Sequence, residues 1–221
     1  MAMNENDLSR MNAVMRHRLR NFASGIKSAV ELLSQETLGA MPHGSREYFP
    51  LILNECNSLY SLTKRLNLFF ENTQSGGRGT ASSALEHTLA DLHQELPSAK
   101  IIVAKNAGAF KTVIPDCEAA RIALLEIMRN AAEAGGKKEI RLKCALNRSS
   151  LRFIVEDQGP GVQEKDLEKI FLPFYTTRSR HVGIGLNIAR KLAAKNGGTV
   201  KAQNNKSGGL TMALEMPFIR A

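Results

Sequence analysis

The chain has 221 residues, enough for two small domains. It carries 30 Lys and Arg against 21 Asp and Glu, a net charge of +9, but the basic residues are spread along the chain and Trp is absent, which does not favour a nucleic-acid-binding protein. No apolar run approaches the roughly 20 residues of a transmembrane helix and no secretory leader pattern is found, so we expect a cytoplasmic chain without membrane insertion, and the three scattered cysteines suit a reducing compartment.

Two long amphipathic helices are predicted in the N-terminal third. Apolar side chains recur every three or four residues along two stripes: Leu8, Met11, Met15, Leu19, Phe22, Ile26, Ala29 and Leu33, then Ile52, Cys56, Leu59, Leu62, Leu66 and Phe69. Gly39, Pro42 and Gly44 break the helix between them, and Pro50 either begins or kinks the second helix. One antiparallel hairpin cannot bury both stripes well, whereas two hairpins form a four-helix bundle, so the pattern predicts a homodimer.

His17 lies on the first predicted helix, two residues from Met15 and two from Leu19. Because each residue advances a helix by about 100°, His17 is expected about 200° from both, on the exposed face opposite the apolar stripe. Asn21 lies one turn further on the same face. A lone exposed histidine most often has no role, so position alone assigns none.

A Gly- and Ser-rich segment from Thr73 to Ser83 predicts a flexible linker. The predicted organisation is a helical hairpin over 1–74, a linker over 75–83 and a second domain over 84–221.

A helix is predicted over 116–134, with Asp116 as its N-cap and two glycines at its end. Glu126 and Asn130 are four residues apart and share one face. A carboxylate and an amide oxygen are hard ligands suited to Mg²⁺ or to a water beside it. A polar stripe on a solvated helix is the alternative, and this pair alone favours it.

Asp157 ends a predicted strand of alternating apolar residues, and Gly159-Pro160-Gly161 follows as a tight turn. A carboxylate there can accept a hydrogen bond from an exocyclic amine such as adenine N6, and the glycines let a base approach the backbone. An ordinary Asp-Gly loop is the alternative.

Gly183-Ile184-Gly185-Leu186 precedes another amphipathic helix, from about 187 to 196. Backbone N–H groups at such a helix start favour phosphate. Just before it, hydroxyl and guanidinium groups suited to phosphate contacts form a polar stretch that could act as a lid or simply be a solvated basic loop: Thr176, Thr177 and Arg178.

Four segments, in this order, resemble the N, G1, F and G2 boxes of sensor histidine kinases, which belong to the superfamily of gyrase B, Hsp90 and MutL: Asn130-Ala-Ala, Asp157-x-Gly159-x-Gly161, Phe171-Leu-Pro-Phe-Tyr-Thr-Thr177 and Gly183-Ile-Gly185-Leu186. The resemblance covers about 84–218. It implies an α+β protein whose second domain is an α/β sandwich of the Bergerat type, with helices on one face of a mixed sheet. It also implies ATP and Mg²⁺ as cofactors, with Asn130 on Mg²⁺, Asp157 on adenine, and Gly183 and Gly185 near the phosphates.

The segment Arg16-His17-Arg18-Leu19-Arg20-Asn21 resembles the phosphoacceptor box of the same kinases, although the box commonly has an acid where Arg18 stands. The resemblance implies autophosphorylation of His17 and transfer to an Asp of a response-regulator receiver domain. Asn21 would position water for dephosphorylation of that partner. No sensor domain fits before the first stripe, so either the chain is a fragment of a longer protein or a separate sensor protein supplies the signal.

Two alternatives remain open. Glu126 stands where many kinases have Asn, and an acid there is usual in ATP-hydrolysing relatives, so the chain could be an ATPase switch. The chain could also be a phosphotransfer or scaffold protein with a degenerate kinase site.

Overall fold

The computed structural model describes residues 19–31, 33, 48–70, 75–104, 107–147, 150–178, 181–206 and 208–219. The chain divides into two compact units, Met1–Thr73 and Gln74–Ala221. The predicted phosphoacceptor His17 and its neighbour Arg18 lie outside the described residues.

The described residues of the first unit form two helices, α1 (19–31, with residue 33 also helical) and α2 (Tyr48–Phe70). Pro50 lies in the first turn of α2, where its missing N–H costs nothing, so it begins the helix and does not kink it. The guanidinium of Arg20 on α1 lies 5.8 Å from the centroid of the Tyr60 ring on α2, a cation–π contact between the two helices.

The apolar seam predicted on α1 is exposed in the single chain. Phe22 is 67% exposed and Ile26 is 49% exposed, whereas Ala23 and Val30 are buried. The face of α1 with the smaller side chains Ala23 and Val30 is therefore buried, whereas the face with the large side chains Phe22 and Ile26 is exposed to solvent.

The second unit begins with β1 (Gly79–Thr80), α3 (Ala81–Glu95), β2 (Lys100–Ala104), α4 (Ala107–Phe110) and β3 (Val113–Ile114). It continues with α5 (Cys117–Gly135), β4 (Glu139–Leu146), β5 (Leu151–Glu156), α6 (Gly185–Lys195), β6 (Thr199–Asn204) and β7 (Leu210–Met216). Two 3₁₀ turns, Glu164–Asp166 and Lys169–Phe171, lie between β5 and α6.

The five-stranded sheet has the order β2-β4-β5-β7-β6, with β2 parallel to β4 and the other pairs antiparallel. Every second residue of β5 and β7 is buried, and α5 and α6 pack on the sheet. Phe153 lies at the centre of the core, in register with Cys144 on β4 and Leu214 on β7. The predicted α+β fold, with helices against a mixed sheet, is confirmed.

The segment predicted to be a flexible linker is structured over 75–83. Gly79 and Thr80 pair with β3, and the Thr80 side chain caps α3 by accepting a hydrogen bond from the Ser83 N–H at 3.1 Å. A side chain at Gly79 would lie 2.6 Å from the Cys117 sulfur. Glycine is needed here for close packing against α5, so composition alone gave the wrong expectation.

Within the described residues, we find no helix whose length and apolar character would let it span a bilayer.

Candidate functional site

Helix α5 is the central element of the site. Asp116 caps its start by accepting a hydrogen bond from the Ala119 N–H at 3.0 Å, and Gly136 ends it with φ +62°, as the sequence predicted. Its orientation is fixed because almost all of its apolar side chains are buried between the sheet and the helices α3 and α6. Asn130, near its C-terminal end, stays partly exposed.

Glu126 is buried, at 3% exposed, and its Oε1 accepts a hydrogen bond from Arg129 at 2.6 Å. Arg129 in turn donates two hydrogen bonds of 2.9 Å to the two carboxylate oxygens of Glu95 on α3. Burial works to lower the pKa of Arg129, but the charges of Glu126 and Glu95 outweigh it and the pKa is raised. The structure therefore places Glu126 in a buried ionic network that joins α5 to α3.

Asp157, at the end of β5, is 3% exposed. Its Oδ1 accepts hydrogen bonds from the N–H groups of Gly159 at 2.8 Å and Leu210 at 3.1 Å. Among the described residues, none donates to Oδ2. Burial raises the pKa of Asp157, and the two backbone hydrogen bonds and the Arg178 charge only partly oppose it. The carboxylate is thus rigidly held, with one oxygen left for a ligand donor.

The turn between β6 and β7 supports the loop that follows Asp157. Asn204 accepts from the Val162 N–H at 2.9 Å and donates to the Val162 carbonyl at 2.6 Å. Asn205 donates to the Asp157 carbonyl at 2.9 Å. These contacts fix the Gly159-Pro160-Gly161 loop, and Gly161 takes the left-handed conformation, with φ +73°.

We expect Gly209→Ala to destabilise the second unit by about 2 kcal/mol or more, because a positive φ is strained for alanine and overpacking adds to that strain. Gly209 has φ +91°, and an added Cβ would lie 2.1 Å from the Asp157 carbonyl oxygen. Gly197→Ala is the matched control, since Gly197 has φ +72° with nothing within 4 Å. Thermal unfolding should show the larger loss for Gly209→Ala, and equal losses would contradict this packing.

The start of α6 lies beside the Phe-rich segment. Gly183 has φ +70°, and a side chain there would lie 2.5 Å from the Tyr175 carbonyl oxygen. Its carbonyl accepts a hydrogen bond from the Phe174 N–H at 2.9 Å, and Asn187 donates to the Phe171 carbonyl at 2.9 Å. Gly183 is therefore required for the close approach of the two segments.

The N-cap of α6 is Ile184, whose apolar side chain is fully buried and makes no capping hydrogen bond. The helix begins at Gly185, and Leu186 is half-buried in its first turn. With no side-chain cap, the first N–H groups of α6 are available to an anion at the positive end of the helix dipole.

The polar stretch before Gly183 contains Thr176, Thr177 and Arg178. The Thr176 hydroxyl accepts from the Arg178 N–H at 3.1 Å and donates to its carbonyl at 3.3 Å, which fixes the turn. Thr177 is exposed. Arg178 reaches across to α5, where its guanidinium donates to Glu133 at 3.0 Å.

Comparison with known proteins identifies the domain that carries this geometry. Residues 116–220 match the family described as "Histidine kinase-, DNA gyrase B-, and HSP90-like ATPase". The match lies within the second unit and covers just under half of the chain. The predicted resemblance to sensor histidine kinases is confirmed as well, because relatives that match most of the chain carry that name.

The signal transduction histidine-protein kinase AtoS of Escherichia coli K12 is 26% identical over 215 residues, covering 96% of this chain and 35% of AtoS. The sensory histidine kinase/phosphatase NtrB of Salmonella typhimurium LT2 is 28% identical over 201 residues, covering 84% of this chain and 55% of NtrB. The chain thus spans about a third to a half of the length of these two relatives.

Full-length ShkA in complex with AMPPNP has a TM-score of 0.77 at 22% identity, covering 96% of this chain and 46% of that one. The catalytic domain of histidine kinase ThkA has a TM-score of 0.57 at 22% identity, covering 66% of this chain and 96% of that one. At these identities the likeness establishes the fold alone.

The second unit also contains site residues that sequence patterns did not single out. Asn204 and Asn205 hold the Asp157 loop, and Glu133 holds Arg178. The run from Asn204 to Gly209 is a recognisable turn signal, but it does not say what the turn supports. Glu133 carried no local signal, because its partner lies 45 residues away in sequence.

Proposed function

We propose that this chain is the core of a two-component histidine protein kinase. In this proposal ATP phosphorylates His17, and the phosphoryl group passes to an Asp of a response-regulator receiver domain. The observation that carries it is the presence in one unit of Asp157, buried and held by two backbone hydrogen bonds, and of a helix α6 that begins without a side-chain cap. The match to AtoS, which covers both the helical hairpin and this domain, supports the same conclusion.

The residues fit a nucleotide with its base at Asp157. The free oxygen of Asp157 would accept from the exocyclic amine of adenine, and the Gly159-Pro160-Gly161 loop gives the ring close access to the backbone. Phosphates would lie toward the first N–H groups of α6, at Gly185 and Leu186, after Gly183. Arg178 and the hydroxyls of Thr176 and Thr177 would add contacts from the polar stretch.

Mg²⁺ would neutralise the phosphate charge during transfer. Within the described part of the chain, no cluster of three or more His, Cys, Asp or Glu side chains could hold a metal by itself. Asn130 is partly exposed and offers an amide oxygen, so the ion would depend on Asn130 together with the phosphate oxygens of the nucleotide.

The transfer step uses the neutral imidazole of His17. One ring nitrogen would donate its lone pair to the γ-phosphorus while the bond between that phosphorus and the bridging oxygen breaks. ADP leaves with the electron pair of that bond, and the proton of the attacking ring is lost to solvent. Asn21, exposed on α1, would take part in the opposing phosphatase reaction by positioning a water that dephosphorylates the receiver.

The ion pair at Glu126 favours a kinase over an ATPase switch. A base that activates water must present its carboxylate to the γ-phosphate, whereas Glu126 is buried and bonded to Arg129. We therefore give Glu126 a structural role.

With radiolabelled ATP, the wild type should retain label on the protein and release little free phosphate. Steady phosphate release that is lost in Glu126→Gln and kept in His17→Ala would support the ATPase and contradict the kinase. A chain that binds no ATP would support the degenerate scaffold.

We further propose that the hairpin dimerises through the exposed seam of α1. Phe22, Ile26 and Leu33 are 67%, 49% and 41% exposed, and Tyr48 and Leu51 on α2 are more than 60% exposed, which is unusual for large apolar side chains on one hairpin. A four-helix bundle of two hairpins would cover them.

Ile26→Asp should convert the dimer to a monomer in sedimentation analysis, because it introduces a charge into the buried seam. Ser28→Asp adds the same charge at an exposed position off the seam and should leave the dimer intact. A wild-type chain that sediments as a monomer at tens of micromolar would contradict the proposal.

The partners follow from the same proposal. A receiver domain presents an acidic pocket, which suits a chain of net charge +9. ATP and receiver domains are both cytoplasmic, so we place the chain there.

A further inference from the structure

Glu133 occupies a position that neither the motif pattern nor the proposed phosphotransfer explains. It lies on α5, three residues after Asn130, so the two side chains share a helix face. Its Oε2 is 3.0 Å from an Arg178 guanidinium nitrogen and 3.4 Å from Nδ1 of His181. A single carboxylate on the central helix therefore contacts the polar stretch on both sides of residues 179–180.

The Arg178 guanidinium, which donates to Glu133, also lies close enough to Asp157 for its charge to act there. Its charge acts on Asp157 and works to lower the pKa of that carboxyl against the effect of burial. The Arg178 backbone is held by the Thr176 hydroxyl. The Arg178 side chain can therefore exchange Glu133 for another partner while the backbone of this turn stays in place.

We propose that Glu133 limits nucleotide affinity by competing with nucleotide phosphates for Arg178. The inference rests on the proposed nucleotide site. Without nucleotide, Glu133 neutralises Arg178 and holds it against α5. One guanidinium nitrogen of Arg178, Nη1, donates to Glu133. A phosphate that takes up this nitrogen must replace the carboxylate, and it can do so because it offers two acceptor oxygens to the planar fork. A nucleoside without phosphate has nothing to exchange, so the pair lowers the affinity for phosphorylated ligands and leaves that for nucleosides unchanged.

The expected change in nucleotide affinity depends on how exposed the Arg178–Glu133 pair is to solvent. The Arg178 and Glu133 side chains are 33% and 25% exposed, so water screens their attraction in part. Partly exposed pairs contribute up to roughly 1 kcal/mol, which corresponds to about a fivefold change in affinity. Glu133→Gln should therefore bind a non-hydrolysable ATP analogue with Mg²⁺ about fivefold more tightly than the wild type. Its affinity for adenosine should be unchanged.

The second role that this geometry could allow is a Mg²⁺ ligand, because Glu133 and Asn130 lie one turn apart. The two roles have opposite signs. A competitor for Arg178 weakens nucleotide binding, so its removal raises the affinity, whereas removal of a metal ligand lowers the affinity only when Mg²⁺ is present.

Calorimetry on the full chain separates these outcomes, with the ATP analogue measured with and without Mg²⁺ and adenosine measured in parallel. Arg178→Ala should bind the analogue more weakly, and adding Glu133→Gln to it should bring no further gain, since the competition needs both partners. Glu215→Gln is the matched control, because it removes a carboxylate paired with Arg152 on β5.

An unchanged or lower analogue affinity in Glu133→Gln would overturn the inference, and a loss confined to Mg²⁺ conditions would reassign Glu133 to the metal. An equal gain for adenosine would also overturn it, because the effect would then not depend on phosphate. If the wild type binds neither ligand, the proposed nucleotide site fails together with the inference. A wild type that binds normally while Glu133→Gln shows no gain removes the inference alone.

Discussion

Asp157→Asn is expected to bind ATP about 10- to 100-fold more weakly than the wild type. The substitution keeps the Oδ1 acceptor that receives the Gly159 and Leu210 N–H groups, so the loop should survive. It replaces the other oxygen with an NH₂ group that would face the adenine amine, donor against donor. A hydrogen bond to a charged group contributes about 1.5–3 kcal/mol, which gives this range of affinity. Calorimetry with a non-hydrolysable ATP analogue measures the loss.

The same variant should be more stable than the wild type at neutral pH. Burial raises the pKa of Asp157 in the folded state, so between the unfolded and folded pKa values the folded chain binds more protons than the unfolded one. Stability then falls as pH rises through that window, and above it the cost of the buried charge is fully present. Asn removes this cost, so its advantage in melting temperature should be largest near pH 7. Below the ordinary Asp pKa of about 4 the carboxyl is protonated in both states, and the advantage should disappear.

Asp91→Asn serves as the control, because Asp91 on α3 is paired with Arg121 on α5 and should not contact the nucleotide. It should leave the affinity unchanged. If Asp157→Asn retained wild-type affinity, the carboxylate would have no part in base binding. If it lost both binding and stability at pH 7, the affinity loss would reflect a damaged fold.

Arg129→Met is expected to lower the free energy of unfolding of the second unit by about 3–5 kcal/mol, the cost of leaving a buried charge unpaired. Arg129 is 8% exposed and Glu126 is 3% exposed, so water cannot replace the lost hydrogen bonds. Denaturant unfolding of the variant measures the change. The double variant Arg129→Met, Glu126→Leu should recover most of the loss, because no buried charge then remains and Glu95 is exposed enough to be solvated.

Arg152→Met is the matched control, since it breaks an ion pair with Glu215 on the more exposed side of the sheet. Exposed pairs contribute roughly 1 kcal/mol or less. If Arg129→Met were no more costly than Arg152→Met, the network would not be the structural element that we infer, and Glu126 would be freer for another role.

Local chemistry explains what the sequence could predict. Asp116 and Gly136 fix the ends of α5 through their own hydrogen bond and backbone conformation, so both could be read within a few residues. Alternating apolar residues likewise predicted β5, and the two glycines around Ile184 predicted the start of α6. The helix ends are defined by neighbours in sequence, whereas β5 shows in the sequence through the alternation of its own apolar residues, although its partner β7 is distant.

Partners far apart in sequence explain what the sequence could not predict. Glu95 and Arg129 are 34 residues apart, and Asp157 and Asn205 are 48 apart, so no local pattern links them. The predicted linker failed for the same reason. The sequence pattern predicted that Gly79 makes the segment flexible. In the structure Gly79 packs closely against Cys117, a contact that forms only in the folded unit, where α5 lies beside this segment. The role of His17, outside the described residues, stays a prediction.

The central claim is tested most directly by labelling the full chain with [γ-³²P]ATP and Mg²⁺ and examining the stability of the protein-bound label. Phosphohistidine is labile in acid and stable in base. The account predicts label with this behaviour in the wild type, and none in His17→Ala under conditions where that variant still binds the ATP analogue with wild-type affinity. Acid-stable label, or label that persists in His17→Ala, would contradict it.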